Sequence, residues 1–213
     1  ITITMKHLAI AAIAAALTLS TSVNAIAGGK LPERSTFASQ TTPSAYAQLL
    51  QRFQAGEPLT KNEYTTVYYG SALQPGFSAD KQYADIAEIY ASGDLTKALR
   101  RCEEALATDP TNLALLFKAY AASKLSADES VKAKADGYVT RINGICDAIL
   151  DAGSGVTDMS PYMVIRPTDV NEFLVKFLQP TSVNGRARVG NLDAVKVTLD
   201  GVPDEVIFYF GQF

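Results

Sequence analysis

The segment ASGDLTKALRRCEEALATDP, residues 91–110, constrains the fold more than any other stretch of the chain. Gly93 suits the end of one helix, because glycine enters the left-handed conformation at little steric cost. Asp94 can then cap the next helix with its carboxylate. In that helix Ala98, Cys102 and Ala105 recur at i, i+4 and i+7, so one face carries only small side chains. Small side chains let two helix axes approach closely. Asp109-Pro110 ends the pair, since a residue before proline avoids the α region. The pattern predicts a tightly packed antiparallel helical hairpin.

Helical signals continue on both sides. Ser44, after Pro43, is the expected cap of a helix with Tyr46, Leu49, Leu50 and Phe53 on one face, stopped by Gly56 and Pro58. Thr60 with Glu63 is a capping-box pattern for a short helix through Tyr69. Gln74-Pro75-Gly76 forces a turn. Ser78 is expected to open a helix to about Ser92, Asp94 one to about Thr108, and Asn112 one to Leu125. Ser126 with Glu129 reads as a second capping box, opening a long helix to about Asp151. Gly137 and Gly144 lie inside it, and each weakens a helix by roughly 1 kcal/mol relative to Ala, which predicts a kink or close packing.

After DAGSG the character changes. PYMVIR reads as a strand, and TDVNEFLVKFL as a short amphipathic helix capped by Thr168. Two β-rich runs flank Asp200-Gly201, a hairpin signal. SVNGRARVG supplies a further turn and short strand. Helices first and strands last indicate an α+β protein: helical hairpins, then a small C-terminal antiparallel sheet with one helix. The expected organisation is a leader over 1–25, a flexible tether over 26–43, a helical region over 44–152 and a small α+β region over 153–213.

The residues IYASGDLTKALRRCEEALATDPTN resemble the second half of a tetratricopeptide repeat. The turn glycine falls on Gly93, the small packing positions on Ala98 and Ala105, and the terminating proline on Pro110. A period of about 34 residues places the next first helix at LALLFKAYAASKL. Lys132 and Val139 then stand where small residues belong, and no Asp-Pro closes the unit. One good repeat and one degenerate repeat do not build a long superhelical groove. More broadly, the order YAQLLQRFQAGEPLTKNEYTTVYYG, QPGFS, the hairpin, YMVI, NEFL and VIFYF resembles a family of secreted Gram-negative bacterial proteins of unknown function, which implies an architecture and no activity. In tetratricopeptide-like hairpins the first helix lines a concave side that often holds a peptide. The resemblance therefore implies a binding face of Tyr83, Tyr90, Phe117, Lys118 and Lys124, with Asn112 at its edge. Aromatics there would anchor a partner, and Asn or Lys would bind peptide backbone or carboxylate. The competing reading makes the same aromatic stripe core, covered by the C-terminal region or the Tyr64–Tyr69 helix.

The remaining signals bound location and chemistry. MKHLAIAAIAAALTLSTSVNA has a lysine, an apolar run from Leu8 to Leu19 and small residues at Val23-Asn24-Ala25 and Ala25-Ile26-Ala27, the pattern of a cleavable signal peptide. The run is shorter than the ~20 residues that span a bilayer. ITIT before Met5 reads as residues upstream of the start, and no cysteine near the cleavage sites supports lipidation. The expected location is periplasmic or extracellular. The formal net charge is −3; losing Lys6 with the leader, which holds no acid, gives −3 − 1 = −4. A mildly acidic chain has no electrostatic reason to seek nucleic acid.

Cys102 and Cys146 are the only cysteines, and an oxidising compartment allows them to pair, although both lie in helical stretches where a thiol also serves as a small hydrophobe. Two thiols do not make a zinc site, and the one histidine, His7, leaves with the leader. No metal or cofactor is expected. Ser78-Ala79-Asp80-Lys81 fits S-x-x-K without the S-D-N and K-T-G partners of serine-active penicillin-recognising enzymes. Asp151-Ala-Gly-Ser-Gly-Val follows a helix rather than a strand and lacks the Gly-Lys-Ser/Thr of a phosphate loop. VIFYFGQF ends in Phe as barrel strands do, but a barrel needs many such strands. The expected function is non-catalytic protein or peptide binding, or scaffolding, in the cell envelope. The rivals are a histidine-free hydrolase or ligand-processing enzyme, and a structural assembly subunit.

Overall fold

The structure is a computed structural model and describes Arg34 and residues 42–213. The leader with its cleavage sites, His7 and nearly all of the tether lie outside the described residues. The architecture is α+β. The chain divides into two compact units, one ending at Ala148 and the other running Ile149–Phe213.

The first unit is helical. Helix α1 (Pro43–Gln54) is capped by Thr42 and not by Ser44, because Pro43 takes the first helical position, where its missing N–H costs nothing. Gly56 ends the segment at φ +74°. Helix α2 (Lys61–Ser71) carries the expected capping box: the Glu63 amide donates to Thr60 Oγ1 at 3.4 Å and the Thr60 amide to Glu63 Oε2 at 2.7 Å. It buries Tyr64, Val67, Tyr68 and Tyr69.

Helix α3 (Ala84–Ala91) is shorter than its sequence suggests. Ser78 does not open it. The Lys81 amide reaches Ser78 O at 3.5 Å in a single turn that does not propagate. Tyr83 then holds φ −129°, ψ 61°, outside the helical region, while its hydroxyl donates to Asp109. That tertiary bond outweighs local propensity. Helix α4 (Leu95–Thr108) starts at Asp94, whose Oδ1 accepts from the Lys97 amide at 3.0 Å. Helix α5 (Leu113–Leu125) starts at Asn112, whose Oδ1 accepts from the Leu115 amide at 3.1 Å.

The long helix expected from Ser126 is two pieces, α6 (Glu129–Lys132) and α7 (Ala135–Ala152). Asp128, rather than Ser126, is the cap of α6. Its carboxylate accepts from the Ser130 amide at 2.8 Å and the Ser130 hydroxyl at 2.7 Å, whereas Ser126 Oγ only accepts the Asp128 amide. A charged acceptor makes the stronger bond. The glycines of α7 mark close packing: a Cβ on Gly144 would lie 2.1 Å from the Tyr64 ring, and one on Gly56 would lie 3.0 Å from the Gly137 Cα.

In the second unit, β1 (Tyr162–Val164) leads into α8 (Pro167–Asn171) and a π-helical turn (Glu172–Leu178). Thr168 does not cap this segment. Arg166 occupies the cap position in extended conformation, as a residue before proline does, and Pro167 takes the first turn. Strands β2 (Ser182–Val189), β3 (Leu192–Thr198) and β4 (Val206–Gln212) form an antiparallel meander, and β1 joins it in the order β1-β4-β3-β2. The β1–β4 pair is parallel, with Tyr162 opposite Phe210, so the sheet is mixed and not wholly antiparallel as expected. The helical segment between β1 and β2 supplies the crossover that a parallel pairing needs. Tyr162 contacts Phe173, Phe210 and Phe208 at ring separations of 5.2, 5.7 and 5.8 Å, forming an aromatic core.

Candidate functional site

Helices α3 and α5 and the residues that open them carry the positions expected to bind a partner: Tyr83 and Tyr90 at α3, and Asn112, Phe117, Lys118 and Lys124 at α5. Gly93, at φ +82°, turns the chain between α3 and α4. Arg101 on α4 reaches back to α3, giving Nη2 to Asp85 Oδ2 at 2.8 Å. The small face of α4 is fully used in packing: Ala98, Leu99, Cys102, Ala105 and Leu106 are buried. Facing residues Leu115, Leu116, Ala119 and Ala122 of α5 are buried as well.

Two local environments emerge from the six candidate residues. Tyr83 is half-buried and donates to Asp109 Oδ2 at 3.3 Å, while the Lys81 ammonium stands 5.2 Å from the centre of its ring. Asn112 is buried and donates Nδ2 to the same carboxylate oxygen at 2.9 Å. With its Oδ1 capping α5, its amide is employed at both ends in structure. Tyr90, half-buried on α3, lies in the field of Cys102 on α4, and burial followed by that neighbour raises its phenol pKa. Burial pushes the Cys102 thiol up from 9.0 to about 11, against the pull of the Lys118 ammonium on α5. Tyr90, Cys102 and Lys118 thus share one setting across three helices. Phe117 is half-buried and Lys124 is exposed near the end of α5.

A cleft of about 270 Å³ opens where α4 begins and α5 ends. The Gly93-Asp94 turn, Leu95 and Leu99 form one side, and Ala122, Leu125 and Val131 the other. Leu125 is 67% exposed. None of the six candidate residues lines this cleft; Lys124 is the chain neighbour of Leu125. Sequence reasoning missed it because Leu125 was read only as the end of a helix. Its signal was a large apolar residue immediately before the Ser126 turn.

Both cysteines are buried free thiols, so the pairing that an oxidising compartment would permit is not formed. The described residues hold no group of three or more His, Cys, Asp or Glu placed to ligate a metal. None of the described helices is long and apolar enough to cross a membrane. Ser78 and Lys81 sit in the turn before α3, and the Ser154–Ser160 loop is tied to itself through the Ser154 amide and Ser160 Oγ at 3.0 Å.

Residues 35–211 match the family described as Domain of unknown function (DUF4919). The chain belongs to that family. The match begins before α1 and ends within β4, so it takes in both units. No curated protein and no solved structure matches the chain.

Proposed function

We propose that this member of the DUF4919 family is a non-catalytic binding or scaffolding module of the bacterial cell envelope, secreted through the leader at its N-terminus. Its helical hairpins take a protein or peptide partner in the manner of tetratricopeptide-like repeats. The observation that carries the reading is uneven burial across helices α3, α4 and α5. Ala98, Cys102 and Ala105 of α4 and Ala119 and Ala122 of α5 are sealed in the packing, yet the large aromatics Tyr83, Tyr90 and Phe117 keep part of their surface. Part-exposed aromatics beside lysines make anchors for a partner. Lys118 and Lys124 supply cations for peptide carbonyls or carboxylates, and the cleft at Leu125 adds apolar surface. Asn112 contributes to this face by fixing the start of α5.

The test is affinity capture from an envelope extract by the tagged mature protein, with a Tyr83→Ala/Tyr90→Ala/Lys118→Ala variant as control. The variant is first checked for a native circular dichroism spectrum. A partner bound by the wild type and lost from the folded variant is expected. A partner retained by that variant would place the aromatics in the core and refute the assignment.

A further inference from the structure

Strand β2 differs from every other strand of the sheet. It stands at the edge of the order β1-β4-β3-β2, and all its residues are exposed, on both faces. Val183 is 50% and Val189 43% exposed. Neighbouring β3 buries Ala194, Val195 and Val197, so the packed core stops one strand short of the sheet's edge. An edge strand offers a row of backbone donors and acceptors to any extended chain that can align with it.

The side chains specify what kind of chain fits. Arg186 lies opposite Val195 and Arg188 opposite Asp193, so both arginines rise from the same face, two residues apart. Arg186 gives Nη2 to Asp193 Oδ2 at 2.8 Å and Arg188 gives Nη1 to Oδ1 at 3.3 Å. One carboxylate from the strand on the inner side is therefore shared by two guanidiniums. Each guanidinium has five N–H donors, and their side chains remain 43% and 66% exposed. Val183, opposite Val197, continues the same face as an apolar position. The ladder irregularity between Val183 and Gly185 leaves Asn184 to donate to Thr198 and Glu205 at 2.8 and 2.7 Å, pinning the strand's start.

We propose that β2 is a docking edge for an extended acidic segment of a partner protein, which adds as a further strand and sets carboxylates two residues apart against Arg186 and Arg188. A strand's period of two delivers that spacing without adjustment. The same arginines disfavour a second copy of this chain, whose edge would add two more guanidiniums to the strip. The edge is distinct from the helical residues 83–124, and its test does not depend on them.

The experiment titrates the full chain with an acetylated, amidated peptide of alternating Glu and Val, matched in length to β2. The control is the same peptide with Lys for Glu. Hydrogen exchange is followed on residues 182–189. The acidic peptide should bind, slow exchange along β2 and weaken as salt is raised, and the basic peptide should bind roughly tenfold more weakly or worse. Arg186→Gln/Arg188→Gln, which keeps a donor for Asp193, should erase the difference between the peptides. Equal binding of both peptides by the wild type would overturn the proposal. So would protection that falls outside β2, no binding into the millimolar range, or a concentration-dependent dimer that itself protects β2.

Discussion

Helix α4 and strand β2 use similar residues to opposite ends. Both mix small side chains with arginines. In α4 the small residues Ala98, Cys102 and Ala105 fall on one face and are buried, while Arg100 points to solvent. In β2 the small residues Gly185 and Ala187 are exposed, and so are Arg186 and Arg188. The helix repeats every 3.6 residues and gathers its small positions into one stripe that a neighbour can cover. The strand alternates, and with its residues exposed on both faces it is held by its ladder to β3 and by side-chain bonds. One element has spent its surface on the fold; the other has kept its surface available.

That contrast has graded consequences. The largest belongs to the aromatic core beside the sheet. Phe173 is fully buried, 5.2 Å from Tyr162 and 5.5 Å from Phe177 by ring centres. Phe173→Ala should lower stability by about 3–5 kcal/mol in urea denaturation, whereas Val189→Ala on β2 should fall within about 0.5 kcal/mol of wild type. Comparable costs for the two would break the contrast, because they would mean that β2 is packed after all.

Next comes the helical unit. Gly144→Ala sets a methyl against the Tyr64 ring, whose hydroxyl also donates to Thr140 O at 3.4 Å. The expected loss is about 1–3 kcal/mol, although alanine is the better helix former. A stabilised variant would show that Tyr64 moves aside freely.

Asp94→Ala removes the cap of α4 and should cost about 1 kcal/mol. Thermal melts of Asp94→Ala and Asp94→Asn, with asparagine recovering most of the loss, would sharpen the local origin of this hairpin.

The smallest effect, taken near pH 9, is a pH dependence. The Cys102 thiol is raised from 9.0 to about 11, chiefly by burial. A raised folded pKa stabilises fully below the unfolded value and is lost as pH climbs towards the folded one. Stability should therefore fall as pH rises from about 9 to about 11. At pH 9, where half the unfolded thiols are ionised, the loss from this group is roughly 0.4 kcal/mol. Burial raises the phenol of Tyr138, helped by Glu103, and that of Tyr162, which adds to the decline in the same direction at higher pH. Cys102→Ser should abolish the first part of the slope; an unchanged slope would assign it elsewhere.

Legibility in the sequence followed the same divide. The Thr60–Glu63 box, the Asp94 and Asn112 caps and the Gly93 turn were readable, because each depends on residues three or four apart. The α+β class and the Asp200-Gly201 hairpin were readable from the change of period. The helix proposed from Ser78 was not, because the Tyr83–Asp109 bond spans 26 residues. Ser126 lost its role to Asp128 because two nearby side chains competed for one helix start. Thr168 lost to Pro167 because the backbone restriction before proline sets the boundary first. The parallel β1–β4 pairing and the exposure of β2 depend on where strands meet, which alternation alone does not encode. At the candidate binding face, Tyr90 and Phe117 lie on helices that the sequence predicts, whereas Tyr83, expected on the same helix as Tyr90, stands before its start. The burial of Asn112 and the cleft at Leu125 depend on how α4, α5 and α6 meet.

The central claim is that the helical face around Tyr90 meets a protein partner. A photocrosslinking phenylalanine analogue at Tyr90 or at Phe117, with one at the exposed Arg100 as control, tests it directly in an envelope extract. The account predicts one shared adduct from Tyr90 and Phe117 that is absent from Arg100. The same adducts from all three positions, or none from Tyr90 in a folded protein, would contradict it.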